Sequence, residues 1–278
     1  MAVSTGTSYF TNALVGQMQV GSDIDINARH ATPKFAVGTG FERADGCKFR
    51  YSHFGAAVNR GVLVSTDLSE SNKGHTPNAG ETVANLTKRA NEHLKPNAAG
   101  SRYVQLTFTA TAHQFDGGYL VIEDDAGEGF TYRIKGHDVG NGPVSGSMYM
   151  DLYDPLHTAI DSTTDISIAG CLYANLEIAN GTQPASRIDS LVVGASCCNT
   201  SAQDFAWVQT KGTCGVLQDA NVAVPCQIVM LSTNTNGAVT PLAVTLTGSA
   251  GTVITVPVGY CIVAGSSTAH TIVNLTIE

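Results

Sequence analysis

The last third of the chain consists of short runs of Val, Ile, Leu and Thr, separated by Gly and Asn: FAWVQTKGTCGVL, NVAVPCQIVML, AVTPLAVTL, TVITVPVGYCIVAG and HTIVNLTIE. β-Branched residues fit a pleated, half-buried surface, and the Gly and Asn positions allow tight reversals, so each run reads as a short strand. No strict short repeat accompanies them, which argues against a solenoid or propeller. The expected fold class is therefore all-β, with two β-sandwich or small-barrel lobes of short antiparallel strands and little helix.

The middle of the chain has the same grammar. YVQLTFTATA alternates, and GGYLVIEDDAGEGFTYRIKGH reads as a hairpin. In it Tyr119 and Val121 point one way and Leu120 and Ile122 the other, while Phe130, Tyr132 and Ile134 share a face opposite Thr131, Arg133 and Lys135. SMYMDLYDPLHTAIDSTTDISIAG adds a strand, a helical turn with Asp154 as N-cap and Pro155 as first helical residue, and a strand at 165–168. Earlier, CKFRYSHF alternates and VLVST follows a small-residue turn. ETVANLTKRANEHL is the one candidate for a longer helix, with Val83, Leu86, Ala90 and Leu94 near one face and Pro96 to stop it.

Residues 1–45 differ from the rest. They are polar and Gly-punctuated, without sustained periodicity, and read as an extended N-terminal arm that a neighbouring subunit would order through Phe10, Leu14, Val15 and Met18. The expected organisation is this arm, a β-rich domain over 46–180 containing the 118–135 hairpin, and a C-terminal β-domain over 181–278. Strands from 47–66 are candidates to complete the last of these.

Charge narrows the function. Only 14% of residues are charged, against about 25% in ordinary proteins, and the formal net charge is -8. The scattered Lys and Arg supply no basic stripe, so a nucleic-acid partner is not expected. No apolar run is long enough for a membrane span, and the first residues, MAVSTGTSYF, lack the pattern of a signal peptide. A surface finished in Thr, Ser, Asn and Gly is easier to desolvate against another protein than one of Lys and Glu. The odd count of seven Cys suits free thiols; Cys171, Cys214, Cys226 and Cys261 lie in apolar runs and read as small core residues.

No chemistry-bearing motif is complete. The acidic turn of Glu123, Asp124, Asp125 and Glu128 lacks the spacing of a calcium loop, and the eight His form no zinc pattern. His137 or His157 near Asp154 is the only arrangement that suggests a hydrolase, and no nucleophile elbow goes with it. Adjacent Cys197 and Cys198 are not a C-x-x-C pair. No catalytic, metal or cofactor site is therefore expected. Trp207, the single Trp, is either core or an interface anchor.

GGYLVIEDDAGEGFTYRIKGH, MDLYDPLHTAIDSTTDISI and FAWVQTKGTCGVL resemble, in order, the "GGYL-I-G-GQ-Y-IK-H" hairpin, the "LYDPL-TALD" segment and the "W-QT-GPC-VL" strand of a family of tailed-bacteriophage virion proteins. FRYSHFGAAVNRGVLV is similar to that family's early strand pair, and VGYCIVAGSSTAHTIVNLTIE to its "G-ALVA" strand. The likeness covers about residues 47–278. Thr213 replaces the expected Pro, and GEGF stands where the hairpin usually reads like GQ. The resemblance implies a capsid cement (decoration) protein. Such a part would be made in the host cytoplasm and seat on the outer surface of the major capsid protein shell at joints between capsomers, commonly as a homotrimer. A tail or fibre component touching a receptor or glycan is the alternative.

Overall fold

The computed structural model describes residues 24–67, 74–75, 93–106, 110, 114–137, 147–181, 190–242 and 257–278. Within them the protein is all-β, without helix. The first strands are β1 (Arg29–His30), β2 (Gly40–Glu42), β3 (Lys48–His53), β4 (Leu63–Asp67), β5 (Gly74–His75) and β6 (Tyr103–Leu106). Next come β7 (Tyr119–Ile122), β8 (Thr131–His137), β9 (Met148–Leu152), β10 (Ile166–Ala169), β11 (Leu176–Ile178) and β12 (Ser190–Ser196). The last are β13 (Phe205–Leu217), β14 (Ile228–Leu231), β15 (Val239–Pro241), β16 (Pro257–Val263) and β17 (His270–Thr276).

They form two curled antiparallel sheets. The smaller has six strands in the order β5-β10-β7-β8-β9-β6. The larger has eleven, running β11-β4-β12-β13-β17-β16-β14-β15, with β3 and β1 also on β13 and β2 on β3. The strands at 47–66 pair in this larger sheet, β3 with β13 and β4 with β12, and β11 joins β4. Of the residues read as an arm, 24–45 contribute β1 and β2 to the same sheet.

The hub is β13. Its first half, Phe205–Thr210, is fully buried between β12 and β3, and its second half alternates in exposure as it pairs with β17. The change of partner falls at Gly212, where φ is +90° and a Cβ would lie 2.6 Å from Cys47 Sγ. Only glycine combines that backbone with so close an approach. Around the buried half, Trp207 stands 5.2 Å from Tyr51, 5.4 Å from Phe35 and 5.9 Å from Phe41 between ring centroids. Trp207 is 1% exposed. Its reading as an interface anchor is corrected to core: burial within one chain leaves the indole nothing to offer a partner.

In the smaller sheet the hairpin registers Tyr119 with Arg133, Leu120 with Tyr132 and Val121 with Thr131. Leu120, Ile122, Tyr132 and Ile134 point into a core shared with Met148, Met150 and Ile166. Phe130 departs from the expected face. It precedes β8, is 39% exposed, and stacks on His157 with centroids 4.9 Å apart. The helical turn expected at Asp154 and Pro155 is absent. Backbone N–H groups there are taken by distant partners: Leu156 donates to Ser101 O (2.8 Å), Ile160 to Asn97 O (2.9 Å) and His157 to the Tyr132 hydroxyl (3.0 Å). Of these, the Ile160 N–H is the one that a helix capped by Asp154 would need, and the bonds from Leu156 and His157 tie the start of the segment to distant residues. The helix predicted over 81–94 lies outside the described residues except at its last two positions.

Glu278 ties strand β3 to β13. Its Oε1 accepts from Arg50 Nε (2.9 Å) and from the Tyr173 hydroxyl (3.3 Å), and its Oε2 from Thr210 Oγ1 (3.0 Å). Burial disfavours its ionisation, but the hydrogen bonds and charge of Arg50, with the two hydroxyls, outweigh that and hold the carboxyl below its ordinary 4.5. A depressed carboxylate stabilises the fold above the unfolded value and loses that contribution as pH falls through the folded one. Glu278→Gln is expected to cost roughly 1 kcal/mol at neutral pH, the upper end for a partly exposed pair. Urea midpoints measured from neutral pH down to about pH 3 should then fall less for the variant than for the wild type; parallel profiles would contradict this.

Candidate functional site

Strands β14, β16 and β17 lie side by side, and their inward residues Val229, Val258, Cys261, Val273 and Leu275 form a buried cluster. Along β17 the residues between them point outward, and in β16 the alternation is interrupted by register shifts at Val258 and Ile262. Tyr260 sits opposite both Ile228 and Asn274, and Val263 opposite Ile272. Cross-strand partners share a face, so this side of the sheet carries Ile228, Tyr260, Val263 and Ile272, joined by Ile262. Each is between 38 and 50% exposed.

The loop before β14 carries two further exposed apolar residues, Val222 and Val224. It is tied to β16 by reciprocal backbone bonds, Cys226 N to Cys261 O and Cys261 N to Gln227 O, both 2.8 Å. Cys226 itself is exposed with φ at +68°, and Cys214 is half-buried. The expectation that Cys226 is a core residue is corrected, since it occupies the turn; half-buried Cys214 packs against the cluster of Val273 and Leu275, as expected. Cys171 and Cys261 are buried as expected, and all seven cysteines are free thiols.

The face has a second property. From Ala220 to Ile277 there is no Lys, Arg, Asp or Glu, although the chain carries 15 basic and 23 acidic residues. A run of 58 residues at the chain's average would hold about eight charges. The charge-free run is visible in the sequence when charge is followed along the chain and is hidden in the whole-chain average. Exposed large apolar residues elsewhere, such as Leu94, Leu172 and Leu191, belong to other segments of the chain. A concentrated uncharged apolar face marks a protein contact.

A cleft of about 730 Å³ opens nearby, lined by residues including Ile26, Asn27, Arg60, Cys197, Cys214 and His270. Asn199 Oδ1 accepts from Arg60 N (2.8 Å), Asn27 Oδ1 accepts from Arg60 Nη2 (3.0 Å), and His270 Nε2 meets Arg60 O at 3.3 Å. Its thiols are not activated. Burial, then the neighbouring Cys214 and Cys198 thiols, raises Cys197 well above the ordinary range, and burial followed by Cys47 pushes Cys214 up to about 12. Neither supplies a thiolate at neutral pH.

The remaining sequence candidates are placed as follows. Phe10, Leu14, Val15 and Met18 lie outside the described residues. Buried His137 accepts at Nε2 from Phe115 N (3.1 Å), and its own N donates to Asp116 Oδ1 (3.2 Å). Exposed His157 stacks on Phe130 instead. In the acidic turn, Asp125 Oδ2 accepts from Thr163 Oγ1 (2.5 Å) and Glu123 Oε1 from Ser167 Oγ (2.5 Å), so two of the four carboxylates bind hydroxyls on and beside β10. Among the described residues no three His, Cys, Asp or Glu side chains converge as metal ligands.

Comparison with protein-family models, with curated proteins and with solved structures finds no match to this chain. The fold and the uncharged face thus stand on their own geometry.

Proposed function

We propose that this chain is a non-enzymatic structural part of a virion: a cement protein of the tailed-bacteriophage kind that associates with itself, as a homotrimer, and seats on the outside of the major capsid protein shell. The observation that carries the reading is the uncharged apolar face of β14, β16 and β17, a surface suited to adhesion. The motif resemblance supports it and supplies the partner. Its quoted segments coincide with the β7–β8 hairpin, the hub strand β13 and the β16–β17 pair.

The test is electron cryo-microscopy of particles from a phage that encodes the chain. Density at the joints between capsomers is expected; density confined to the tail overturns the cement reading. That second outcome is what a tail or fibre component with a glycan or receptor contact would give. The exposed Phe130–His157 stack, an aromatic platform beside an acidic turn, favours it as the alternative.

A further inference from the structure

We infer that the face of β14, β16 and β17 is where copies of this chain meet one another around a rotation axis. The inference rests on the adhesive reading above and names the partner of that face. Close to a symmetry axis each residue faces its own copy, so any charge there is set against a like charge. A chain with net charge -8 repels itself, and an axial contact has to exclude charge altogether. The run from Ala220 to Ile277, which contains all three strands, does so. A different protein imposes no such condition, because its charges can be complementary and interfaces between unlike chains commonly use them. Absence of charge on β14, β16 and β17 therefore suits self-contact, and exposed Lys211 of β13, opposite Thr276 on the same side of the sheet, lies beyond β17 outside that patch.

The geometry agrees. Strands β16 and β17 are interior to the sheet, so their backbone groups are engaged by neighbouring strands and the contact is face to face, not by strand addition. Tyr260 stands in the middle, between Ile228 on one side and Asn274 on the other. A tyrosine in that place can give the central anchor of an interface, and the amide of half-buried Asn274, both donor and acceptor, can pair with its own copy. The exposed apolar residues are fewer than the roughly 20–30 a side of a stable interface, so they form its dry centre, with the Thr, Ser and Asn around them as rim.

The experiment is sedimentation equilibrium of the full chain, wild type and with Ile272→Lys or Ile272→Glu. Wild type is expected as a closed oligomer. Each variant is expected to weaken association at least about 100-fold, because it sets like charges together in a dry contact. Far-UV circular dichroism and melting should stay near wild type, since Ile272 points to solvent. Mixing the Lys and Glu variants should recover association in part, because among three copies about an axis at least two of these side chains carry the same charge. Val263→Glu, opposite Ile272 on the same face and half exposed, repeats the test should Ile272 variants fail to fold, and Tyr119→Lys on the smaller sheet should leave the mass unchanged. A wild type that is monomeric at about 100 μM, well above an ordinary complex's dissociation constant, overturns the inference. So does an oligomer that survives both Ile272→Glu and Val263→Glu. An oligomer that ignores capsids defeats the cement reading alone; a monomer that coats capsids defeats this one alone.

Discussion

Trp207→Ala is expected to destabilise the protein by about 3–5 kcal/mol, the range for removing a buried aromatic side chain without collapse of its site. The indole is the meeting point of rings from three separate segments, Phe35, Phe41 and Tyr51, all within 5.9 Å. Each such pair adds about 0.5–1.5 kcal/mol beyond area burial, and an alanine forfeits them together. Strand β3 is held to β13 by its backbone ladder, but Phe35 and Phe41 reach β13 through this cluster, because β2 pairs with β3 and not with β13. Against a total stability of about 5–15 kcal/mol the loss is a large fraction. Since Trp207 is the only tryptophan, unfolding has to be followed by far-UV circular dichroism in urea. Trp207→Phe, which keeps a ring in place, should lose less than half as much. A loss below about 1 kcal/mol for the alanine variant would mean that the site collapses freely and that the cluster is not the tie described.

Gly237→Val is expected to cost about 4 kcal/mol or more, by a different route. Gly237 has φ of +70°, where a β-branched residue is strained. A Cβ there would stand 2.2 Å from Val62 Cγ1, 2.9 Å from Ile178 Cγ2 and 3.2 Å from Leu63 O. The backbone cannot retreat without loss, because Gly237 O accepts from Leu63 N (2.8 Å) and Gly237 N donates to Ala179 O (2.7 Å). These two bonds clip the turn after β14 onto the start of β4 and the end of β11. Moving it exposes or orphans both, at about 1–3 kcal/mol for each group left buried and unpaired. Asn236→Ala, one residue earlier and exposed, serves as the control and should be close to neutral. Thermal melting of the pair decides it: similar melting temperatures would show that the turn is free to shift.

The contrast between these two residues shows what was legible. Trp207 announces a core or an interface, and only the three rings around it choose core. Gly237 belongs to an Asn-Gly pair that marks a turn, but the identity of the strands that turn touches is nowhere in the local sequence. Asp154-Pro155 carries a helix-start signal, and it is overruled because Asn97, more than fifty residues earlier, accepts the Ile160 N–H that a helix would use, while Ser101 holds the segment at Leu156. Local propensity is worth less than a set of long-range backbone bonds in a half-buried site. The apolar face of β14, β16 and β17 lies between these cases. Its lack of charge can be counted from Ala220 to Ile277, but its exposure depends on which side of β16 and β17 is covered.

The residues by themselves determined the class of structure: period-two alternation with Gly and Asn breaks makes strands and turns, and the β7–β8 hairpin, β13 and β16–β17 follow from it locally. Only the tertiary structure decided that β13 would be the hub, that β3 and β4 would cross from early in the chain to flank it and β12, and that Trp207 would be sealed inside. The reason is physical. Backbone N–H and C=O groups are alike in every strand and accept any partner of suitable pattern. The choice among partners is made by packing, by the rings that fill the space beside Trp207 and by the room left where Gly212 has no side chain. These come into being only when distant segments are already together.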